Sequence, residues 1–296
     1  MDTPLTTQKS WGWRVATYLF LAGLGSGSTL VGIGYGFLFR SPSMVTKVGL
    51  VIGPPFVIMG CLFLLIDLGR PSFSYLLIKR PKDSWITRGF FILSGFILLG
   101  LVHIVFWIGP WPLIKDWSSL WNVLGGTVAV FAVLTSIYPA LLLGCSPIPL
   151  WNTPILPVLF LVSSASMGIA AIVLWTVHVL GFPSQEVSFL LDMDAFLIVL
   201  EIFLIILYFH GMKLFGVAKI SVKNIVVGRF APLFWGGVVL IGLMIPFVLE
   251  LTGGWTLLPA LFVLIGGYLL RYIIVMGGIK IPLSVQGVIL PIPGKN

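Results

Sequence analysis

One apolar segment of this protein carries three residues that can exchange protons, spaced seven positions apart. Asp194, Glu201 and Tyr208 lie within LDMDAFLIVLEIFLIILYFH (191–210). Residues seven apart project from nearly the same face of a helix, and the two intervals together cover about 21 Å of helix axis. A carboxylate in hydrocarbon is costly, so it is normally paired, protonated or part of an ion pathway. The spacing predicts a polar stripe through most of a membrane and favours proton or electron chemistry.

The composition requires that stripe to lie in a membrane protein. Hydrophobic residues make up 58% of the chain and charged residues only 9%, against roughly 25% charged in a soluble domain. Runs of about 20 apolar residues predict transmembrane helices. We predict an all-α integral membrane protein, a bundle of eight transmembrane helices that forms one domain over residues 1–296. The predicted spans are 15–39, 45–67, 86–108, 121–144, 154–180, 191–210, 229–251 and 255–276.

The basic residues predict how the bundle is oriented. Eight spans place both termini on one side, and most of the lysines and arginines fall on that side. The positive-inside rule therefore predicts cytoplasmic termini in the cell inner membrane, and the net charge of +8 does not require a nucleic-acid partner. The basic residues of the terminal side are Lys9, Arg14, Arg70, Lys79, Arg80, Lys82, Arg88, Lys213, Lys219, Lys223, Arg229, Arg271, Lys280 and Lys295.

Polar residues at the opposite side lead towards the middle of the stripe. His178, Asp192 and Asp194 lie at similar depth on the fifth and sixth spans. We expect them to form a proton funnel that leads to Glu201, with Tyr208 continuing the relay. His103 on the third span also lies on this side, so His178 and His103 as haem ligands are the alternative.

A second polar group lies on the terminal side. Because neighbouring helices alternate in direction, the starts of spans one and three meet the ends of spans two and four. Tyr18, Tyr138, Asp67 and Arg70 then come together as a site for a lipophilic molecule with a carbonyl or hydroxyl head group. The alternative is structural, because tyrosines often anchor helices at the membrane interface and Asp67 with the arginines can lock a loop.

The two cysteines argue against a metal cluster bound by this protein. Cys61 and Cys145 stand far apart in the sequence, whereas iron–sulfur clusters and zinc sites need several thiolates close together. We expect both cysteines to pack as small apolar side chains. We predict no haem and no iron–sulfur cluster in this chain.

Six segments carry a resemblance to a known family. They are WGWRVATYLFLAGLGSG (11–27), IDLGRPSF (66–73), SWITRG (84–89), YPALLLG (138–144), FWGGVVLIGLMIPFVLE (234–250) and LIGGYLLRYIIVMGG (264–278). In this order over eight spans, the sequence resembles the NrfD/PsrC family, the membrane subunits of polysulfide-reductase-type respiratory complexes.

The resemblance implies an electron-transfer subunit rather than a catalytic centre of its own. Relatives anchor a four-cluster ferredoxin-like iron–sulfur subunit, which connects them to a catalytic subunit, often a molybdopterin enzyme. Quinol or quinone, of the menaquinone or ubiquinone type, is expected in a pocket beneath that subunit. Tyr138 matches the tyrosine that holds the head group in relatives. Tyr18 and Val15 stand where some relatives carry histidine and asparagine, which changes the pocket's hydrogen bonding.

The resemblance also places the partner and leaves two other functions open. The basic residues that follow the second span, Arg70, Lys79, Arg80 and Lys82, are expected to dock the iron–sulfur subunit. Many relatives place their catalytic subunits outside the cytoplasm, which conflicts with the orientation predicted from charge. Proton translocation along the stripe is one expectation, and a simple anchor is the other. A haem-binding cytochrome subunit and a proton channel or transporter are the alternatives from other classes.

Overall fold

The computed structural model describes residues 6–7, 11–39, 43–67, 85–108, 117–181, 185–252, 256–280, 284–285 and 288–289. The predicted docking residues Arg70, Lys79, Arg80 and Lys82 lie outside these ranges. Long apolar segments rich in leucine, isoleucine, valine and phenylalanine form helices that satisfy their own backbone hydrogen bonds, as a polypeptide in lipid must. The predicted all-α membrane fold is confirmed.

Each of the eight predicted spans coincides with a helix. In the described part of the chain, seven helices are long and apolar enough to cross a membrane by length and composition: α1, α2, α3, α4, α5, α8 and α9. The helices are α1 (Trp13–Phe39), α2 (Met44–Asp67), α3 (Trp85–Ile108), α4 (Trp117–Gly144), α5 (Ile155–Val179), α6 (Gln185–Lys213), α7 (Gly216–Val226), α8 (Leu233–Thr252) and α9 (Leu257–Met276).

Short strands before the first helix and after the last helix support α6 as the eighth crossing. Strand β1 (Thr6–Thr7) pairs antiparallel with β2 (Ile279–Lys280). One strand precedes α1 and the other follows α9, so both flanks lie at the same end and the number of crossings is even. The 29-residue α6 supplies the crossing that makes it so. A hairpin of β3 (Ser284–Val285) and β4 (Val288–Ile289) follows.

Helix α1 forms the centre of the bundle. It packs against α2, α4, α5 and α9, and 83% of its most apolar stretch is buried. Glycine makes this packing close: a Cβ on Gly27 would overlap the backbone of Ser164 on α5, and one on Gly25 would overlap the Gly53 carbonyl on α2. Small residues allow such approach between membrane helices. By contrast, α3 is only 28% buried over the same kind of stretch and lies at the periphery.

Two helices change their winding. The last six residues of α5, Leu174–Val179, form a π-helix. Helix α8 begins as a π-helix over Leu233–Met244 and continues as an α-helix over Ile245–Thr252. π-helical turns are rare and often lie near functional sites. The connection after α4 contains a short 3₁₀ turn, Pro149–Trp151, which packs against α7.

Candidate functional site

A cavity of about 430 Å³ lies where the ends of four helices meet on the terminal side of the bundle. Its wall comes from the start of α1, the end of α2, the start of α3 and the end of α4, as the alternation of helix direction predicts. Most of its lining is apolar. The lining residues are Trp11, Val15, Tyr18, Leu19, Cys61, Leu64, Leu65, Asp67, Ile86, Gly89, Phe90, Leu93, Ser94, Ile97, Tyr138 and Leu142.

Three of the four predicted head-group residues line this cavity together. Tyr18 is fully buried, and its hydroxyl has no hydrogen-bond partner among the described residues. Tyr138 is equally buried, and the half-buried Asp67 closes the end of α2. The fourth, Arg70, lies outside the described residues. Buried polar groups are normally hydrogen-bonded, so the Tyr18 hydroxyl is available to a ligand in the cavity.

The structure adds lining residues that the sequence did not single out. The additional lining residues with polar or sulfur atoms are Trp11, Ser94 and Cys61. Their sequence signal is weak, because a lone serine or tryptophan in an apolar helix has no distinctive spacing. Arg88 is exposed at the start of α3, and its guanidinium lies 4.8 Å from the ring centre of Trp85.

The position of the Tyr138 ring depends on a glycine. Gly89 of α3 faces the ring so closely that a Cβ at this position would overlap the phenol carbon and hydroxyl of Tyr138. The absence of a side chain at Gly89 therefore lets α3 and α4 approach while the Tyr138 hydroxyl stays in the cavity wall. No other residue type leaves that space.

The wall formed by α2 and α3 borders the lipid. Leu65, Ile86 and Phe90 line the cavity and are also among the exposed large apolar residues of the protein. In a membrane, such residues contact acyl chains. This side of the cavity therefore lies at the apolar outer surface of the bundle rather than in its centre.

A buried arginine lies beside this cavity, deeper in the bundle. Arg271 of α9 is completely buried. Its Nε donates to the carbonyl oxygen of Leu19, a cavity-wall residue, at 3.2 Å. Its two terminal nitrogens donate to the hydroxyls of Ser163 and Ser164 at 3.1 and 3.0 Å and to the Gly267 carbonyl at 3.0 Å. A buried guanidinium with this many acceptors is held in one orientation.

Arg271 connects the cavity wall to the predicted stripe. The Glu201 carboxyl is buried. It interacts with the Ser163 hydroxyl and, electrostatically, with the Arg271 guanidinium. Asp194, also buried, interacts with Ser166 of α5 and with Glu250 of α8. A series of polar groups therefore extends from the cavity wall at Leu19 to the far half of α6. Ser163, Ser166 and Glu250 were not in the predicted set.

The other predicted relay residues have different surroundings. The Tyr208 hydroxyl donates to the Leu150 carbonyl oxygen at 2.7 Å and so ties α6 to the 3₁₀ turn. His178 is exposed and lies 3.0 Å from the hydroxyl of Thr256, which precedes α9. Asp192 is exposed on α6. Their roles in proton movement stay predictions.

His103, the other residue of the haem alternative, lies in a separate environment. It is completely buried, and its ring stands edge-on to Trp121 at a centroid distance of 4.2 Å. Neither ring nitrogen has a hydrogen-bond partner among the described residues. His103 therefore packs against α4, whereas His178 contacts Thr256 before α9. Among the described residues, no three His, Cys, Asp or Glu side chains come together as a metal site.

Comparison with known sequences decides the family. The profile of the family described as "Polysulphide reductase, NrfD" matches residues 3–282. The chain belongs to the NrfD family.

Relatives of this NrfD-family protein are similar over nearly their whole length. It is 32% identical to the polysulfide reductase C subunit of Wolinella succinogenes, with 90% of this protein and 94% of that one aligned. It is 26% identical to the NrfD homolog of Haemophilus influenzae, with 94% and 98% aligned. It is 29% identical to protein NrfD of Escherichia coli, with 81% and 84% aligned. These relatives indicate a multi-span membrane subunit of a respiratory oxidoreductase that works with other subunits of a reductase complex.

The six segments that resembled the NrfD family surround the two polar regions. The segments 11–27, 66–73, 84–89 and 138–144 all contribute residues to the cavity. The segments 234–250 and 264–278 carry Glu250 and Arg271. The segments that carried the resemblance therefore include residues of the cavity and of the buried polar series behind it.

Proposed function

We propose that this protein exchanges electrons between the membrane quinone pool and an iron–sulfur partner subunit. The cavity that brings Tyr18, Tyr138 and Asp67 together carries this proposal. Its volume of about 430 Å³ falls in the range of small-molecule sites, and its apolar wall with a few convergent polar groups is typical of them. A quinone of the menaquinone or ubiquinone type matches that chemistry, with an aromatic head and a lipophilic tail.

Each polar group of the cavity wall has a role in this proposal. The Tyr18 and Tyr138 hydroxyls can donate to a quinone carbonyl oxygen or accept from a quinol hydroxyl. Asp67 can accept a proton. Oxidation of the quinol to quinone releases two electrons and two protons, so the site needs both an electron acceptor and a base. In this proposal the electrons pass to a cluster of the partner subunit, and Asp67 takes a proton.

The partner is proposed to bind on the terminal side, above the cavity. A four-cluster ferredoxin-like iron–sulfur subunit, itself bound to a molybdopterin catalytic subunit, would place a cluster near the head group. Exposed cations on this side include Arg14 and Arg88 beside the cavity helices, together with Lys219 and Lys223 on α7. With the basic loop residues Arg70, Lys79, Arg80 and Lys82, they favour an acidic partner surface through electrostatic complementarity.

The location proposed for the complex is the cell inner membrane with both termini in the cytoplasm. The support is the excess of basic residues on the terminal side. Cysteines placed at residue 2 and at the end of the chain test it. In intact cells, a membrane-impermeant maleimide should leave both unlabelled, and labelling of either without lysis would reverse the orientation.

Removal of one hydroxyl tests the quinone site. We expect Tyr138→Phe to lower quinol turnover about tenfold, because one hydrogen bond to the head group is lost. Tyr18→Phe should act in the same direction. The matched control is Tyr35→Phe, which removes the hydroxyl of a buried tyrosine on α1 that does not line the cavity.

The measurement is quinol oxidation at subsaturating quinol by the assembled complex, with the amount of co-purified iron–sulfur subunit as the check on assembly. A Tyr138→Phe complex that assembles and turns over like the Tyr35→Phe control would refute the assignment. Loss of co-purification instead of turnover would show that Tyr138 is structural.

Proton movement is proposed to accompany electron transfer. The polar series from Arg271 through Glu201 to Asp194 supports it, because it leads away from the cavity towards the opposite face. His178 and Asp192 are proposed as further members of the route, at its opposite-side mouth. In liposomes that contain the whole complex, quinol oxidation should generate a membrane potential. Turnover without charge movement would make the protein a simple anchor.

A further inference from the structure

Three buried oxygen atoms from three different helices lack hydrogen-bond partners among the described residues at one place in the bundle. They are Oδ1 of Asp194 on α6, Oγ of Ser166 on α5 and Oε2 of Glu250 on α8. Asp194 and Ser166 are each 1% exposed and Glu250 is 7% exposed. Unpartnered buried polar atoms are few in a folded protein, and each calls for an explanation.

The three side chains lie on helices in contact, because α6 packs against both α5 and α8. Asp194 interacts with both Ser166 and Glu250, and Glu250 interacts with Asp194 in return. Two neighbouring carboxyl groups within an apolar interior repel each other when both are ionised. The arrangement therefore calls for a positive charge between the carboxyl oxygens.

A proton fits this place better than a metal ion. Two carboxyl groups and one hydroxyl offer at most five oxygens, fewer than the roughly six to eight that a calcium ion takes, and no three acidic, His or Cys side chains come together among the described residues. One proton between the two carboxyl groups removes the repulsion and makes a hydrogen bond. The Ser166 hydroxyl can then donate to the remaining carboxylate oxygen, so that the serine and both carboxyl groups gain partners.

We propose that Asp194 and Glu250, supported by Ser166, form a carboxyl pair that holds one exchangeable proton within the membrane. This inference rests on the proposed quinol function for the source of the proton. The pair takes up a proton that has travelled from the cavity along the polar series and releases it to the opposite side. Only O–H bonds form and break: the incoming proton neutralises the remaining carboxylate of the pair, and release of a proton from the other carboxyl group restores one proton and one negative charge.

On the side facing the cavity, polar groups connect the pair to Glu201 and Arg271. Glu201 acts on Asp194 from one heptad further along α6, about 10 Å away along the axis. Ser163 acts on Glu201, and Ser166 acts on Asp194. These serines are three residues apart on α5, so hydroxyl groups line the interval between the two carboxyl groups of α6. Arg271 of α9 acts on Glu201.

The other side of the pair leads to the membrane surface. Glu250 is two residues from Thr252, the last residue of α8, and both Leu251 and Thr252 are exposed. The pair therefore stands at the end of the bundle opposite the quinone cavity. A proton released from Glu250 needs to pass only the last residues of α8.

Carbodiimide labelling tests the pair in the wild-type complex. Dicyclohexylcarbodiimide reacts with a protonated carboxyl group in apolar surroundings and leaves an adduct that peptide mass spectrometry can locate. We expect the adduct on Asp194 or Glu250 in membranes that contain the intact complex. Asp192 is the matched control, because it is exposed on the same helix two residues away and should stay unmodified. An adduct on neither member of the pair overturns the proposal.

Two conservative variants test function and separate the pair from the quinone site. In liposomes with the whole complex, Glu250→Gln and Asp194→Asn should lower the charge moved per electron at least about tenfold, since neither amide can carry the proton. Tyr138→Phe should lower turnover and leave charge per electron unchanged. Wild-type charge per electron in both amide variants overturns the pair and leaves the quinone site standing. Wild-type turnover in Tyr138→Phe refutes the quinone site, and the labelling result then still reports on the pair.

Discussion

Substitution of Gly89 by alanine should disable the cavity without touching any of its polar groups. The new Cβ would overlap the Tyr138 ring at the carbon that bears the hydroxyl. Backbone cannot yield as easily as a side chain, so the ring has to turn away or α3 has to shift from α4. Either movement takes the Tyr138 hydroxyl out of the cavity wall or narrows the space beside it.

The size of the effect follows from opposing terms. Overpacking of a tight contact typically costs about 1–3 kcal/mol, whereas replacing glycine within a helix gains about 1 kcal/mol. The fold should therefore survive. The displaced hydroxyl forfeits a hydrogen bond to the head group of about 1 kcal/mol, and the narrowed cavity adds to that loss. Together we expect a decrease of about tenfold in quinol turnover at low quinol, which corresponds to about 1.4 kcal/mol.

The assay is quinol oxidation by the purified complex at subsaturating and saturating quinol. Gly126→Ala on α4 is the matched control, because a Cβ there would meet nothing within 4 Å, and it should behave as wild type. The double variant Gly89→Ala with Tyr138→Phe adds a second check. Because both changes remove the same hydroxyl from the head group, the loss in the double variant should be clearly smaller than the sum of the two single losses. Wild-type kinetics for Gly89→Ala, or additive losses in the double variant, would refute the reasoning.

Three further outcomes follow from the buried contacts. Glu201→Gln should abolish most of the charge movement in liposomes while the complex still assembles, and an unchanged membrane potential would remove Glu201 from the relay. Arg271→Met should destabilise the protein by about 3–5 kcal/mol, because it leaves the Glu201 carboxyl uncompensated. Thermal unfolding in detergent measures this, and adding Glu201→Gln should restore part of the loss. Gly27→Ala should separate α1 from α5 and reduce the amount of assembled complex on a native gel. Gly34→Ala, where a Cβ meets nothing within 4 Å, should not.

The depth of each polar residue could be predicted from the sequence. Apolar runs set the spans, and their alternating directions set which helix ends share a membrane face. Tyr18, Asp67 and Tyr138 were assigned to one face on that basis, and they line one cavity. The first residues of α1 and the last residues of α2 are neighbours for the same reason. Periodicity does not rank neighbours around a bundle, however, so the close approach of Gly89 to the Tyr138 ring could not be predicted.

The partners of the buried charges could not be predicted. Glu250 and Arg271 lie on α8 and α9, far from Glu201 in sequence. The depth of each residue in the membrane allowed several possible partners for each. Their partners depend on α5, which packs against α1, α6 and α9 and brings its serines to both buried charges. The serines of α5 at 163, 164 and 166 gave no distinct signal either, because serine is common where membrane helices pack closely.

The polar stripe on α6, with one residue every seven positions, shows that spacing predicts a shared face but not the partner of each residue. A straight helix drifts by about 20° per heptad, so Asp194, Glu201 and Tyr208 turn progressively around the axis. Asp194 meets Glu250 of α8, and Glu201 meets Ser163 and Arg271. Tyr208 instead reaches the carbonyl of Leu150, a fixed backbone acceptor. Since a hydroxyl that donates to a carbonyl must break that bond to pass a proton on, the two carboxyl groups are the better carriers. Tyr208→Phe distinguishes a proton carrier from a structural attachment. It should weaken the attachment of α6 to the 3₁₀ turn, seen as a lower unfolding temperature. It should leave the charge moved per electron intact. A loss of charge movement at wild-type stability would extend the relay to Tyr208.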